Sequence, residues 1–194
     1  MKNCKTHTMM GAIALLTTVM AAVPAMAQQG RGWRFQPTST PAAAALTQAE
    51  QQKLAFMREE EKLARDVYQA MYEKWKLPVF ERIAGSEQRH FDAVGRALAR
   101  YAIADPAKED KPGVFANAEL AALYAELIAR GNVSAQDALN VGVTIEKKDI
   151  EDLENAIRDT RQMDLKRLYA NLLQGSLRHL LAFEANLQGQ CPNQ

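Results

Sequence analysis

Ser86-Glu87-Gln88-Arg89-His90 sets a carboxylate and an imidazole three residues apart. On a helix that spacing projects both side chains from one face. The surrounding positions Ile83, Val94, Ala97 and Tyr101 fall on the same face at steps of three and four. Glu87 and His90 therefore point where a helix normally buries leucine, and the helix that carries them is amphipathic on both sides of the pair. Pro78 suits the first turn of this helix, and Asp105-Pro106 is expected to end it.

Three other segments repeat the arrangement. Thr47-Gln48-Ala49-Glu50 is a capping box that opens a helix. Its inward stripe runs Leu54, Met57, Glu61, Ala64, Tyr68, Met71, Trp75. Glu61 lies in the stripe; Glu59 and Glu60 point away by roughly 200° and 100° at about 100° per residue, toward a solvated face. Ser134-x-x-Asp137 opens a third long helix with stripe Leu139, Gly142, Glu146, Asp149, Leu153, Ala156. A fourth carries Leu165, Leu168, Leu172, Gly175/Ser176, His179, Phe183, Asn186, with Gly189 as its stop. Between the second and third lies a stretch of about 30 residues, in which Asn117 caps a short helix over 120–128 closed by Gly131-Asn132. No segment alternates with period two. The expected fold is all-α: a four-helix bundle over 47–189 with one long crossover carrying a short extra helix, the ferritin-like connectivity.

Antiparallel neighbours meet at one height when they are equally distant from the turn between them. Glu61 and His90 are centred near 75 or 76, beside the turn before Pro78; Glu61 and Glu87 are centred near 74. Glu146 and His179 are centred between 162 and 163, inside the polar turn 159–164. The members of each hairpin should thus lie within about one helical turn, ~5 Å. Packing the hairpins together would bring Glu61, Glu87, His90, Glu146, Asp149 and His179 into the bundle centre. Without a cation, each ionised carboxylate buried there costs several kcal/mol and repels its neighbours. One or two divalent cations remove that conflict. Carboxylate oxygen and imidazole nitrogen suit Fe or Mn, with Zn also open, and the lack of thiolate argues against a structural cysteine-type zinc site.

Residues 1–27 read as a secretory signal peptide: Lys2 and Lys5, an apolar run over 10–22, and Ala25-Met26-Ala27 before the cut. Its removal implies a periplasmic or secreted protein that begins at Gln28. Without Lys2 and Lys5, 24 basic residues become 22, against 23 acidic ones. This near-neutral balance argues for no nucleic-acid partner and no membrane surface after cleavage. His7 leaves with the leader, so only His90 and His179 remain, and Cys191 is then the sole cysteine, which excludes an internal disulfide. Residues 28–46 read as a flexible tether and 190–194 as a C-terminal tail. No phosphate loop, G-x-S-x-G elbow or C-x-x-C pair is present.

Glu61-x-x-Ala64-Arg65-x-x-Tyr68 resembles the first-helix ligand motif of rubrerythrins, and Glu87-x-x-His90 resembles their second-helix pair. Over 47–188, the runs E-E-E-K-L-A-R-D-V-Y, S-E-Q-R-H, I-E-K-K-D-I-E-D-L and G-S-L-R-H-L-L-A-F resemble domain of unknown function 2202 (DUF2202), a bacterial and archaeal branch of the ferritin-like superfamily. The resemblance implies a dimetal-carboxylate site, with one Glu from helices one and three and E-x-x-H from helices two and four. The fourth helix departs from that pattern: Ser176-x-x-His179 lacks the second bridging Glu, a loss that Asp149 could offset.

Three functions follow as expectations. One is a redox enzyme of peroxidase or oxidase type acting on peroxide or dioxygen. Its Glu87 would bridge two ions, Glu61 with His90 and Glu146 with His179 would complete the ligand sets, and Tyr68, Arg65 or Tyr101 would support them. The second is metal binding, carriage or storage without turnover. The third is a metal-free helical interaction module. Partners under the first two are metal ions and a small oxidant, with a homodimer left open.

Overall fold

The computed structural model describes residues 45–190. Five helices make up the fold: α1 (Gln48–Trp75), α2 (Pro78–Arg100), α3 (Ala118–Gly131), α4 (Ala135–Asp159) and α5 (Met163–Gln190), with no strand among the described residues. α1 packs along α2 and α4 along α5, so two antiparallel hairpins form the bundle; α3 lies across the α1–α4 side. The sequence expectation of an all-α four-helix bundle with a helical crossover holds.

Local chemistry explains the helix boundaries. Thr47 accepts from the Glu50 amide at 3.2 Å while Glu50 accepts from the Thr47 amide at 2.9 Å, closing the capping box. α1 ends on Lys76 in the left-handed region, φ 54°, two residues ahead of Pro78, which occupies the first turn of α2. Ser134 caps α4 and Asn117 caps α3. α2 stops at Arg100, five residues short of the expected Asp105. The stop is a Schellman motif: Ile103 N–H donates to Leu98 O and Ala102 N–H to Ala99 O, with Ala102 at φ 52°. Helical geometry also runs past Gly189, since one glycine weakens a helix without ending it.

Two apolar clusters hold the bundle together. One gathers Val67, Tyr68, Met71, Phe80, Leu139 and Phe183; the other gathers Leu54, Met57, Val94, Leu98, Leu153 and Tyr169. Within the first, the Tyr68, Phe80 and Phe183 rings lie 5.1–6.2 Å apart in tilted pairs. Gly142 permits this, because a Cβ there would sit 2.7 Å from the Phe183 ring. Leu46, read as the end of the tether, is buried in the second cluster instead. Along every long helix the two clusters are separated by the polar positions singled out in the sequence.

α1 departs most from expectation. Every residue from Met57 to Tyr68 is buried, so the solvated face assigned to Glu59 and Glu60 does not exist. The loop after α2 covers much of that side and pairs with Arg58, Glu59 and Lys62, whereas Glu60 Oε2 is buried without a partner. Glu59 accepts from the amides of Ala116 at 2.5 Å and Asn117 at 3.1 Å, at the start of α3. Lys62 donates to Asp66 at 2.5 Å and to Lys111 O at 2.6 Å, and Arg58 pairs with Asp105. Helical periodicity located the inward stripe but gave no sign of a loop folded over the opposite face.

The stretch read as a signal peptide (1–27), most of that read as a tether (28–44) and, of the expected tail 190–194, residues 191–194 with Cys191 lie outside the described residues, while Gln190 belongs to α5. No helix among the described residues is long and apolar enough to cross a membrane.

Candidate metal centre

Between the two apolar clusters, α1, α2, α4 and α5 each turn polar side chains inward at one level. Glu61 and Glu146 are 1% exposed, Glu87 is 2% and His179 is 8%. Helix periodicity places them there; the hairpin geometry brings them together. His90 Nδ1 lies 2.8 Å from Glu87 Oε2 and 3.2 Å from Glu61 Oε2. His179 Nδ1 lies 2.7 Å from Glu87 Oε1 and 3.6 Å from Glu146 Oε2. The two imidazoles stack with centroids 5.5 Å apart.

These contacts resolve into two groups of three ligand-type residues, Glu61–Glu87–His90 and Glu87–Glu146–His179. Within each, one ligand atom per residue lies within 4.8 Å of the others. Glu87 belongs to both and turns one oxygen toward each imidazole. Tyr68 supports the second group from α1: its hydroxyl donates to Glu146 Oε1 at 2.7 Å. Gly175 supports the first, since a Cβ there would fall 2.4–2.5 Å from the His90 ring. Only glycine lets the Cε1–Nε2 edge of that ring come so close to α5. The sequence reading placed Gly175 on the stripe without this role.

Asp149 stands beside the two groups rather than in either. Ser176 Oγ donates to its Oδ2, so the residue where the resemblance expects a bridging Glu fixes a neighbouring carboxylate. Glu60, on the adjoining face of α1, is buried near Asp149. Arg65 is held by Asp66, Asp110 and Gln88, and Tyr101 donates to Asp164 near the start of α5 at 2.7 Å. Neither contacts the two ligand groups, because loop 101–117 draws Arg65 outward and Tyr101 sits at the far end of α2. Lys147 and Lys148 pair with Glu184 and Asp152, so neither neutralises Glu146 or Asp149.

Burial and mutual contact set unusual protonation states. Burial pushes Glu61 up to about 8 against the pull of His90, and burial with the charge of Glu87 pushes Glu146 up to about 8. Burial also raises Glu87, but its contacts with both imidazoles outweigh this and hold it at about 2. Burial opposes the charged form of each histidine, yet the carboxylates win, raising His90 to about 11 and His179 to about 9. Burial and neighbouring carboxylates push Asp149 well up despite the Ser176 hydrogen bond.

The donor set fits a cation better than it fits itself. Glu61 Oε1, Asp149 Oδ1 and His179 Nδ1 are buried without an aligned hydrogen-bond partner. His179 Nδ1 is 2.7 Å from a carboxylate oxygen, yet the two atoms are not oriented for a hydrogen bond. Buried polar atoms are ordinarily satisfied, at a cost of ~1–3 kcal/mol when they are not. Three carboxylates, two imidazoles and no thiolate match the preferences of Fe, Mn or Zn.

The fold and this cluster define an all-α bundle with a buried carboxylate–histidine centre. The chain belongs to the family described as "Uncharacterized protein domain (DUF2202)", whose model matches residues 50–192. It is 51% identical over 138 residues to uncharacterized protein MJ0754 of Methanocaldococcus jannaschii, covering 71% of this chain and 75% of that protein. A crystal structure of hypothetical protein MJ0754 from Methanococcus jannaschii superposes with a TM-score of 0.74 at 48% identity, covering 77% of this chain and 85% of that one.

Proposed function

We infer that this protein binds two divalent cations per chain, one at Glu61, Glu87 and His90 and one at Glu87, Glu146 and His179, and uses them for redox chemistry on peroxide or dioxygen. The observation that carries the reading is the pair of ligand groups sharing Glu87, with buried donors left unsatisfied. Iron or manganese, when bound, would supply electron transfer and Lewis acidity. The chain's own residues do the rest. Tyr68 orients Glu146 as outer partners do for metal ligands, and Ser176 holds Asp149 beside the two groups. The apolar clusters above and below shield the carboxylates of the layer from water along the bundle axis, which strengthens the charge interactions among them. The ferritin-like kinship suggested by the motifs supports the same chemistry. One chain supplies every ligand, so the reading needs no second copy.

Export follows the N-terminal leader and remains part of this proposal. A second reading, metal binding without turnover, draws on Ser176, a hydroxyl where a further carboxylate would complete a symmetric pair. Elemental analysis of the purified protein, followed by peroxide-consumption assays on iron- and manganese-loaded samples, separates the readings. Two ions with turnover is the expected result. Stoichiometric metal without turnover leaves the second reading; protein that takes up no Fe, Mn or Zn overturns both.

A further inference from the structure

The α1–α4 side of the bundle is covered by α3, whereas no element among the described residues covers the α2–α5 side. There a shallow, open cleft of roughly 440 Å³ lies directly over the two imidazoles. Arg82, Ser86 and Arg89 from α2 and Arg178 from α5 line it, and His90 and His179 form part of its wall. No aspartate or glutamate lines the cleft. The three arginines are exposed, and none has a carboxylate partner among the described residues. In a chain with 24 basic and 23 acidic residues, three uncompensated guanidiniums around one concavity are a local excess.

We propose that this cleft is the binding site for a small anion bearing carboxylate or phosphate groups, seated against the outer sides of His90 and His179. Guanidinium forks match the paired oxygens of both groups, and the Ser86 hydroxyl and Asn171 amide add neutral donors. The imidazoles present Nδ1 inward to Glu61, Glu87 and Glu146, so the anion would sit one ring away from the cation pocket. Three guanidiniums at this mouth also disfavour the entry of free metal ions, so an anion held there would stand beside the centre without blocking a route for its cations. That last point rests on the function proposed above; the anion site does not.

The test is calorimetric titration of the full-length protein, metal-free and zinc-loaded, with inorganic phosphate and separately with citrate. Binding with a Kd below about 10 mM is expected. The variant R82Q/R89Q/R178Q should weaken it at least tenfold, while R161Q, an exposed arginine outside the cleft, leaves it unchanged. Metal content by elemental analysis should match the wild type in both variants. Tighter binding of citrate would identify carboxylates as the natural class, and tighter binding of phosphate would identify phosphate. No binding of either anion, or equal affinity in the triple variant, overturns the proposal. Arginine-dependent anion binding in a protein that takes up no metal would uphold the cleft and sink the metal centre alone.

Discussion

Loading the metal-free protein with cations should expel protons in a number fixed by the geometry of the polar layer. At pH 7 the metal-free layer holds both histidines as imidazolium, raised to about 11 and 9, and holds Glu61 and Glu146 protonated, raised to about 8; Glu87, held at about 2, is ionised. Metal ligation needs neutral imidazole and ionised carboxylate. His90, His179, Glu61 and Glu146 must each lose a proton, so about four leave as two divalent cations arrive. Charge in the layer is thereby conserved: four protons stand in for two cations. Titration in two buffers of different ionisation enthalpy measures the number directly. Affinity should climb between pH 6 and 8, by about two decades per pH unit for each ion, since each displaces two protons. The metal-free protein should behave in the opposite sense. The histidine contribution, from pKa values raised above the unfolded 6.5, is complete below pH 6.5 and is lost as pH rises through about 9 and 11. Glu61 and Glu146, raised above 4.5, also lower stability as pH climbs from 4.5 to 8. The metal-free melting temperature should therefore fall from pH 6 to pH 10 while the metal-dependent increment grows toward pH 8. Release of fewer than about one proton per ion, or an affinity flat across pH 6–8, would refute the reasoning.

Glu87→Gln should abolish binding of both ions, because Glu87 is the only member of both ligand groups, whereas Glu61→Gln should leave one; metal-to-protein ratios by elemental analysis decide it. Gly175→Ala should push the His90 ring out of place, costing about 1–3 kcal/mol and weakening the Glu61-side ion at least tenfold, as read by melting and by titration. Glu59→Ala removes the acceptor for two amides before α3 and should cost about 2 kcal/mol, a fall in melting temperature of roughly 4–8 °C, with metal content unchanged. Amino-terminal sequencing of protein recovered from its expressing cell should begin at Gln28; an intact leader in the exported fraction would remove the periplasmic assignment.

Much of the fold was legible because helix ends are written in local chemistry. Thr47, Pro78, Asn117 and Ser134 each act on amides within one turn, so their roles need no knowledge of distant chain. The level of Glu61, Glu87, His90, Glu146 and His179 followed from two turn positions and the rise per residue. What escaped was non-local. Glu59 reads as solvent-facing until residues 116 and 117 fold against it. Asp149 stood on the stripe like Glu146, but Ser176, 27 positions later, decides what it touches. Gly175 and Gly142 gave no signal beyond their small size, because what matters is the ring lying against each.

The division of the core explains how a bundle can carry so unfavourable a centre. Apolar burial is concentrated in two clusters, one on each side of the polar layer, and each joins both hairpins: Tyr68, Phe80, Leu139 and Phe183 in one, Leu54, Val94, Leu153 and Leu172 in the other. Each cluster thus contains residues from all four long helices. Fully burying a leucine or phenylalanine side chain yields about 1.5–3 kcal/mol, so a handful of residues in each cluster offsets the unsatisfied atoms between them. Under the function proposed above, the layer can therefore stay poised for cations in the metal-free state, with protons occupying their place, while the helices stay assembled. A bundle whose apolar residues were spread evenly through the polar layer would have to choose between packing and binding; here the two tasks fall on different turns of the same helices.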